Sequence, residues 1–238
     1  RHNIVSGTQT LAIGLFGLLR PGDILLSVTG KPYDTLEEVI GIRGEAGNGS
    51  LKDYGVNYHQ LEMKNGEIDI PSMVEYLKND NAVKVVFIQR SKGYENRVSF
   101  SATYIGEIAN FVKSIKEDVI VIVDNCYGEF VEKQEPCDVG VDIAVGSLIK
   151  NPGGGLAPTG GYIVGTEKFH ITQVGVGDPH LGDHVIDVVI DIDLGADVIV
   201  MLLLGEVVAA GIFLQVFPYL RILLIQSGQF FFCILSER

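Results

Sequence analysis

The sequence predicts an α/β protein built on a mostly parallel sheet. Three observations carry that expectation. Apolar, β-branched runs alternate with stretches of helical periodicity over the first 168 residues, the pattern of successive βαβ units. Turn chemistry such as Arg20-Pro21-Gly22-Asp23 separates the runs. The 238 residues, 47% hydrophobic, suffice to bury a sizeable core, so one large domain is the first expectation.

Taken in order, Leu11, Leu15, Leu18 and Leu19 share one face of a helix that stops at the Arg20-Pro21-Gly22-Asp23 turn. Strands are expected at 24–28, 56–62, 83–89, 119–123, 142–146 and 161–164, with helices between them. Thr35 followed by Glu38 reads as a capping box for a helix through Val39 and Ile42. Ile105, Ile108, Val112 and Ile115 mark another amphipathic helix. Sheets of this kind place ligands at the carboxyl ends of their strands.

Composition excludes several functions. The formal net charge of −12 repels phosphate backbones and anionic lipid, so no nucleic-acid partner is expected. Cys126, Cys137 and Cys233 have neither metal-ligand spacing nor an even-numbered framework, which suits a reducing, cytoplasmic compartment. The opening RHNIVSGTQT has no charged-then-apolar leader and no initiating Met. Beyond about residue 170 the composition shifts: every lysine lies at or before Lys168, and the acids are opposed only by Arg221 and Arg238. The apolar stretch 198–225 is interrupted by Glu206, Gln215, Pro218 and Arg221, so a buried helix plus a strand is expected there rather than a membrane anchor.

Four features could carry chemistry. In Gly146-Ser147-Leu148-Ile149-Lys150-Asn151-Pro152-Gly153-Gly154-Gly155, a lone lysine stands between an apolar strand and a glycine run. Desolvated there, it would lose its proton readily, as Schiff-base chemistry requires; a plain surface lysine is the alternative. Asp124 follows five consecutive β-branched apolar residues, a costly place for a carboxylate without a partner. That partner could be a pyridinium nitrogen or a magnesium ion, or the residue could simply cap the strand end. Ser6-Gly7-Thr8 precedes the first helix, where free N–H groups favour a phosphate, although an ordinary N-cap is the commoner use. Tyr33 sits in a turn from which its ring could lie on a flat cofactor. His180 and His184 have helical ligand spacing, but Pro179 and Gly182 oppose a helix, and Cys126 has no local histidine, so neither is read as a reactive centre.

Taken in order, SGT, GKPYDTLEEVIGIRG, IQRSKGYENR, VDNCYGEFVE and GSLIKNPGGGLAPTGGYIVG resemble the methionine gamma-lyase family, often labelled aluminium resistance proteins. That family lies in the cystathionine-lyase branch of fold type I pyridoxal phosphate enzymes, and the resemblance covers roughly residues 1–169. It implies an aspartate-aminotransferase-like large domain over 1–169 and an atypical tail over 170–238. It further implies that Lys150 carries pyridoxal phosphate covalently, Asp124 pairs with the pyridine nitrogen and Tyr33 stacks on the ring. Ser6, Gly7, Thr8 and Ser147 would bind the phosphate, and Asn125 would join the site. Family members have a segment ahead of SGT and a smaller carboxyl-terminal domain with an arginine for the substrate carboxylate; neither is recognisable here. The expected activity is β- or γ-elimination from a sulfur-containing amino acid by a homodimer or homotetramer. An aminotransferase on the same apparatus and a non-catalytic cofactor-binding remnant are the alternatives.

Overall fold

The computed structural model describes residues 4–153 and 155–166 in full, and the backbone of 169–174, 187–192, 199–202, 221–225 and 229–233. Helix α1 (Gly7–Leu18) opens on Ser6, whose hydroxyl accepts from the Gln9 N–H at 3.1 Å, while the Gln9 side chain accepts from the Val5 N–H. The first bond satisfies a donor that a helix start leaves open, and the second ties the residue ahead of the cap to the same turn. The helix ends where Leu19 turns extended, and Arg20 Nη1 donates to the carbonyls of Phe16, Gly17 and Leu19.

Strands β1 (Ile24–Ser27), β2 (Asn57–Gln60), β3 (Val83–Gln89), β4 (Ile120–Asp124), β5 (Ile143–Ser147) and β6 (Gly161–Gly165) alternate with α2 (Asp34–Ile40), α3 (Ile70–Asn79) and α4 (Ala102–Ile115). Backbone strands follow at β7 (Phe169–Val174), β8 (Asp187–Ile192), β9 (Ile199–Leu202), β10 (Arg221–Ile225) and β11 (Gln229–Cys233). The sheet order is β10-β11-β9-β6-β5-β4-β3-β1-β2, with β7 and β8 paired separately. The five strands β2, β1, β3, β4 and β5 run parallel, and β6 is antiparallel to β5. No helix among the described residues is long and apolar enough to cross a membrane.

The central strands β1, β3, β4 and β5 are buried on both faces and largely apolar, whereas the edge strand β2 is polar and partly exposed; period-2 alternation assigns each residue to a face. Leu25, Val85, Phe87, Ile120, Ile122, Ile143 and Val145 pack with Leu11 and Leu15 of α1 and Leu36 of α2. Leu26, Val86, Ile88, Val121 and Val123 pack with Met73 of α3 and Ile105 and Val112 of α4. Continuing the parity to the last residue of each strand puts Ser27, Gln89, Asp124 and Ser147 on the face that α1 and α2 cover. The strand ends thus deliver four polar residues to one side of one edge.

The expected strands are all present, with ends shifted by one or two residues; β3 agrees at both ends. The capping box is corrected. Tyr33 is the N-cap of α2 and makes no side-chain cap bond, and Thr35 lies inside the helix with its hydroxyl 2.9 Å from that of Thr8. Asp34 takes the local role instead, its carboxylate accepting from the Thr35 N–H. The helix stops at Ile40 rather than Ile42, because Gly41 adopts φ 92°, a conformation that glycine takes without a Cβ penalty. Of the stretch 198–225, where a buried helix plus a strand is expected, the structure describes strands β9 and β10; the rest of it lies outside the described residues, as do His180 and His184.

The amino end of α1 packs very closely on β5 and β6. A Cβ on Gly161 would collide with Thr10 Oγ1 and approach the Ser6 carbonyl to 2.9 Å. Gly161→Ala should therefore lower stability by about 1–3 kcal/mol, the usual cost of overpacking. Urea denaturation checks this: an unchanged midpoint would mean that α1 is free to move away.

Candidate functional site

The residues singled out by the sequence gather at the carboxyl edge of the parallel strands. Ser6 is the N-cap of α1, and Gly7 lies so near β5 that a Cβ there would stand 2.8 Å from Ser147 Cβ. Ser147 is buried, and its hydroxyl makes no hydrogen bond to another described residue. The Gly7 and Thr8 amides lie in the first turn, where a helix supplies no internal acceptor. Thr8 is joined to Thr35 across the starts of α1 and α2. A cup of backbone and hydroxyl donors results, with the positive end of the α1 dipole behind it.

Tyr33 precedes α2, and the Gln89 side chain fixes it by accepting from its N–H at 2.8 Å. Gln89 Nε2 donates in turn to the Ser91 carbonyl, so the end of β3 sets both the Tyr33 turn and the following loop. From that loop Tyr94 stacks on Tyr33 with ring centroids 5.8 Å apart. The hydrogen bond to Tyr94 pushes the Tyr33 phenol up to about 12. Arg97 clamps the same loop, donating to the carbonyls of Gln89, Ser91 and Val98.

Asp124 is buried, and its Oδ1 accepts from the Cys126 N–H at 3.0 Å. Among the described residues no cation lies within ion-pair distance of it. Burial raises its pKa, opposed by the Cys126 hydrogen bonds and by the charge of Lys150. Cys126 itself is half-buried, and burial beside Asp124 pushes its thiol up, in keeping with an unreactive residue.

Lys150 lies on the turn that follows β5, and its Nζ donates to the Tyr127 hydroxyl at 2.6 Å. Here the sequence expectation is corrected. The amine is not desolvated into losing its proton; it is partly exposed, and the Tyr127 hydrogen bond raises its pKa. A donor bond from the ammonium outweighs a small burial penalty. Asn125 differs from its neighbour Asp124, because its amide is committed within the protein. Its Oδ1 accepts from Arg90 Nη1 at 2.7 Å, and its Nδ2 donates to Glu135 and to the Tyr162 hydroxyl.

The sequence reading missed the network around Asn125. Tyr162 on β6 donates to Glu129 Oε1 at 2.8 Å, and the other Glu129 oxygen is buried without a hydrogen-bond partner among the described residues. Burial raises the Glu129 pKa to about 7. Tyr94, Gln89 and Tyr127 were missed as well, since each acts through a contact distant in sequence. Only the proximity of Tyr127 to Asp124 in VDNCYGEFVE could have signalled it.

This sheet order and edge define an aspartate-aminotransferase-like large domain. Aspartate aminotransferase of Thermus thermophilus shares the fold at TM-score 0.50 and 18% identity, over 68% of this chain and 40% of that one. More narrowly, the sequence profile described as methionine gamma-lyase matches residues 1–185, and the chain belongs to that family. The match extends beyond residue 169, where the resemblance was expected to end. The uncharacterized protein YnbB of Bacillus subtilis is 54% identical over 184 residues, which is 74% of this chain and 43% of YnbB. The chain thus spans less than half the length of that relative. A carbon-sulfur lyase involved in aluminum resistance from Clostridium novyi is 48% identical at TM-score 0.65, over 69% of this chain and 39% of that one. A Listeria innocua protein, provisionally named cystathionine beta-lyase involved in aluminum resistance, is 56% identical at TM-score 0.64, over 67% and 39%.

The Glu129 carboxyl generates a prediction about stability. With its folded pKa raised above the unfolded value near 4.3, the native state binds the extra proton, so stability falls as pH rises from about 4 to 7. Glu129→Gln should remove that slope and stabilise the fold at pH 8 by up to about 3 kcal/mol. Urea midpoints of both proteins between pH 5 and 8 measure it; parallel pH profiles would show that Glu129 titrates normally.

Proposed function

We propose that this chain provides the cofactor-binding unit, residues 1–169, of a pyridoxal phosphate-dependent carbon–sulfur lyase acting on a sulfur-containing amino acid. The observation that carries the reading is the buried, cation-free Asp124 on the same sheet edge as Lys150 and the donor cup of α1. Such a carboxylate calls for a cationic partner, and the cup calls for an anion. Pyridoxal phosphate combines both in one molecule and supplies, when bound, an electron sink for carbanion chemistry.

In this reading Ser6, Gly7, Thr8 and Ser147 hold the phosphate, and Gly7 is glycine so that the helix start can approach Ser147. Asp124 keeps the pyridine nitrogen protonated, and Tyr33 faces the ring. Asn125 holds the Asp124 turn, since its amide is already bonded within the protein. Lys150 is the attachment point, and its Nζ, once free, takes the proton from the substrate Cα. The site then eliminates a thiol, at Cβ or Cγ, and works in a homo-oligomer in the complete enzyme.

Borohydride reduction of the cofactor-loaded protein, followed by peptide mapping, should recover the phosphopyridoxyl group on Lys150; recovery on Lys31 or Lys92 would refute the assignment. Assays for thiol and keto acid from sulfur amino acids test the reaction class, since transamination releases no thiol. Asp124→Asn should weaken cofactor affinity modestly, by about 1.5–3 kcal/mol for a lost charge-assisted bond, and depress turnover further. Equal turnover of the loaded variant in a full-length relative would contradict the ring-nitrogen role.

A further inference from the structure

Tyr127 is assigned nothing above, yet its conformation is unusual. Its φ is 68°, in the left-handed region that bulky side chains rarely adopt. The turn around it is fixed on both sides. Cys126 N–H is bound by Asp124, Gly128 N–H donates to the Asn125 carbonyl at 2.8 Å, and a Cβ on Gly128 would run into the Arg90 side chain. A rigid turn thus maintains an unfavourable backbone at an exposed aromatic residue, and such outliers concentrate where geometry serves function. What the turn achieves is the placement of Tyr127 against one amine. The hydroxyl accepts from Lys150 Nζ at 2.6 Å, and the ring centroid is 4.5 Å from the same atom. Oxygen and π face both favour the ammonium over the neutral amine.

We propose that Tyr127 is a positioning residue that holds the free Lys150 amine in place and in its protonated form, and so sets the pH at which this lysine becomes nucleophilic. The inference rests on Lys150 being the attachment lysine. For capture of an aldehyde cofactor, Lys150 must first release a proton to solvent. Its nitrogen then forms a bond to the aldehyde carbon, and the carbonyl oxygen leaves as water, so no oxidant or reductant is required. The other groups facing the amine are Cys126 and Asp124 from the end of β4 and Tyr94 from the loop after β3, and Tyr33 in turn faces Tyr127. Asp124 also favours the ammonium, but it stays in place when Tyr127 is altered. The Tyr127 hydrogen bond is the foremost cause of the raised Lys150 pKa.

The test is competitive acetylation of the full chain without cofactor, read by mass spectrometry at Lys150 against Lys84 and Lys92 as internal references, from pH 7 to 11. Tyr127→Phe keeps the ring and removes only the oxygen. Its Lys150 should titrate at least half a unit lower, with labelling at pH 8 rising about threefold or more, while the reference lysines do not change. Tyr127→Leu, which also removes the π face, should shift it at least as far. In parallel, the pH midpoint for covalent capture of pyridoxal phosphate should fall in Tyr127→Phe. Coincident Lys150 titrations in wild type and both variants would overturn the proposal and reduce Tyr127 to packing. A shifted Lys150 titration together with capture on another lysine would support the Tyr127–Lys150 coupling while refuting the attachment site on which it rests.

Discussion

The amino end of α1 is pressed against the ends of β5 and β6 with no space for a side chain at two points, Gly7 over Ser147 and Gly161 over Thr10. Much of the edge depends on this contact. It brings the open N–H groups of a helix start beside the last residue of β5, immediately before the turn that carries Lys150. It also puts the Leu11 and Leu15 stripe over the inner residues of β4 and β5, so the helix that covers the core and the helix that presents donors are the same one. Separating the two elements would uncover apolar surface and dismantle the cup together, which couples stability to ligand geometry.

A second constraint is period-2 alternation along parallel strands. Because Ile120 and Ile122 face α1, Asp124 does too, and the same parity carries Gln89 and Ser147 to that side. The carboxylate is therefore buried by the regularity of its strand. Its environment is then completed from loops. Cys126 N–H binds Asp124, while Arg90, Glu135, Tyr162 and Glu129 bind or surround Asn125. Burying so many polar groups is tolerable only when nearly all are paired; one Glu129 oxygen has no partner among the described residues, and burial raises the pKa of that carboxyl.

Tyr33, Tyr94, Tyr127 and Lys150 form the outer part of the site, and they differ from the inner part in how they are held. Gln89 and Arg97 tie the Tyr33 and Tyr94 loops to the β3 end through backbone atoms, whereas Lys150 and Tyr127 meet side chain to side chain at the surface. The inner residues are fixed by the sheet. The outer ones depend on turns that a bound ligand can engage.

The sequence by itself determined the strands, the amphipathic helices and the candidate residues Ser6, Gly7, Thr8, Tyr33, Asp124, Ser147 and Lys150, because apolar periodicity and turn chemistry are local properties of the chain. It misplaced the start of α2, where Thr35 looked like a cap: a hydroxyl followed three residues later by Glu fits that motif equally well from inside the helix. That Asn125 belongs to an internal network rather than the open edge, and that the Lys150 amine meets the Tyr127 hydroxyl, emerged only from the folded arrangement. Both outcomes hang on partners 10 to 37 residues away in sequence. Hydrogen bonding and burial, which set charge state, depend on which strands become neighbours, and no local pattern encodes that distance.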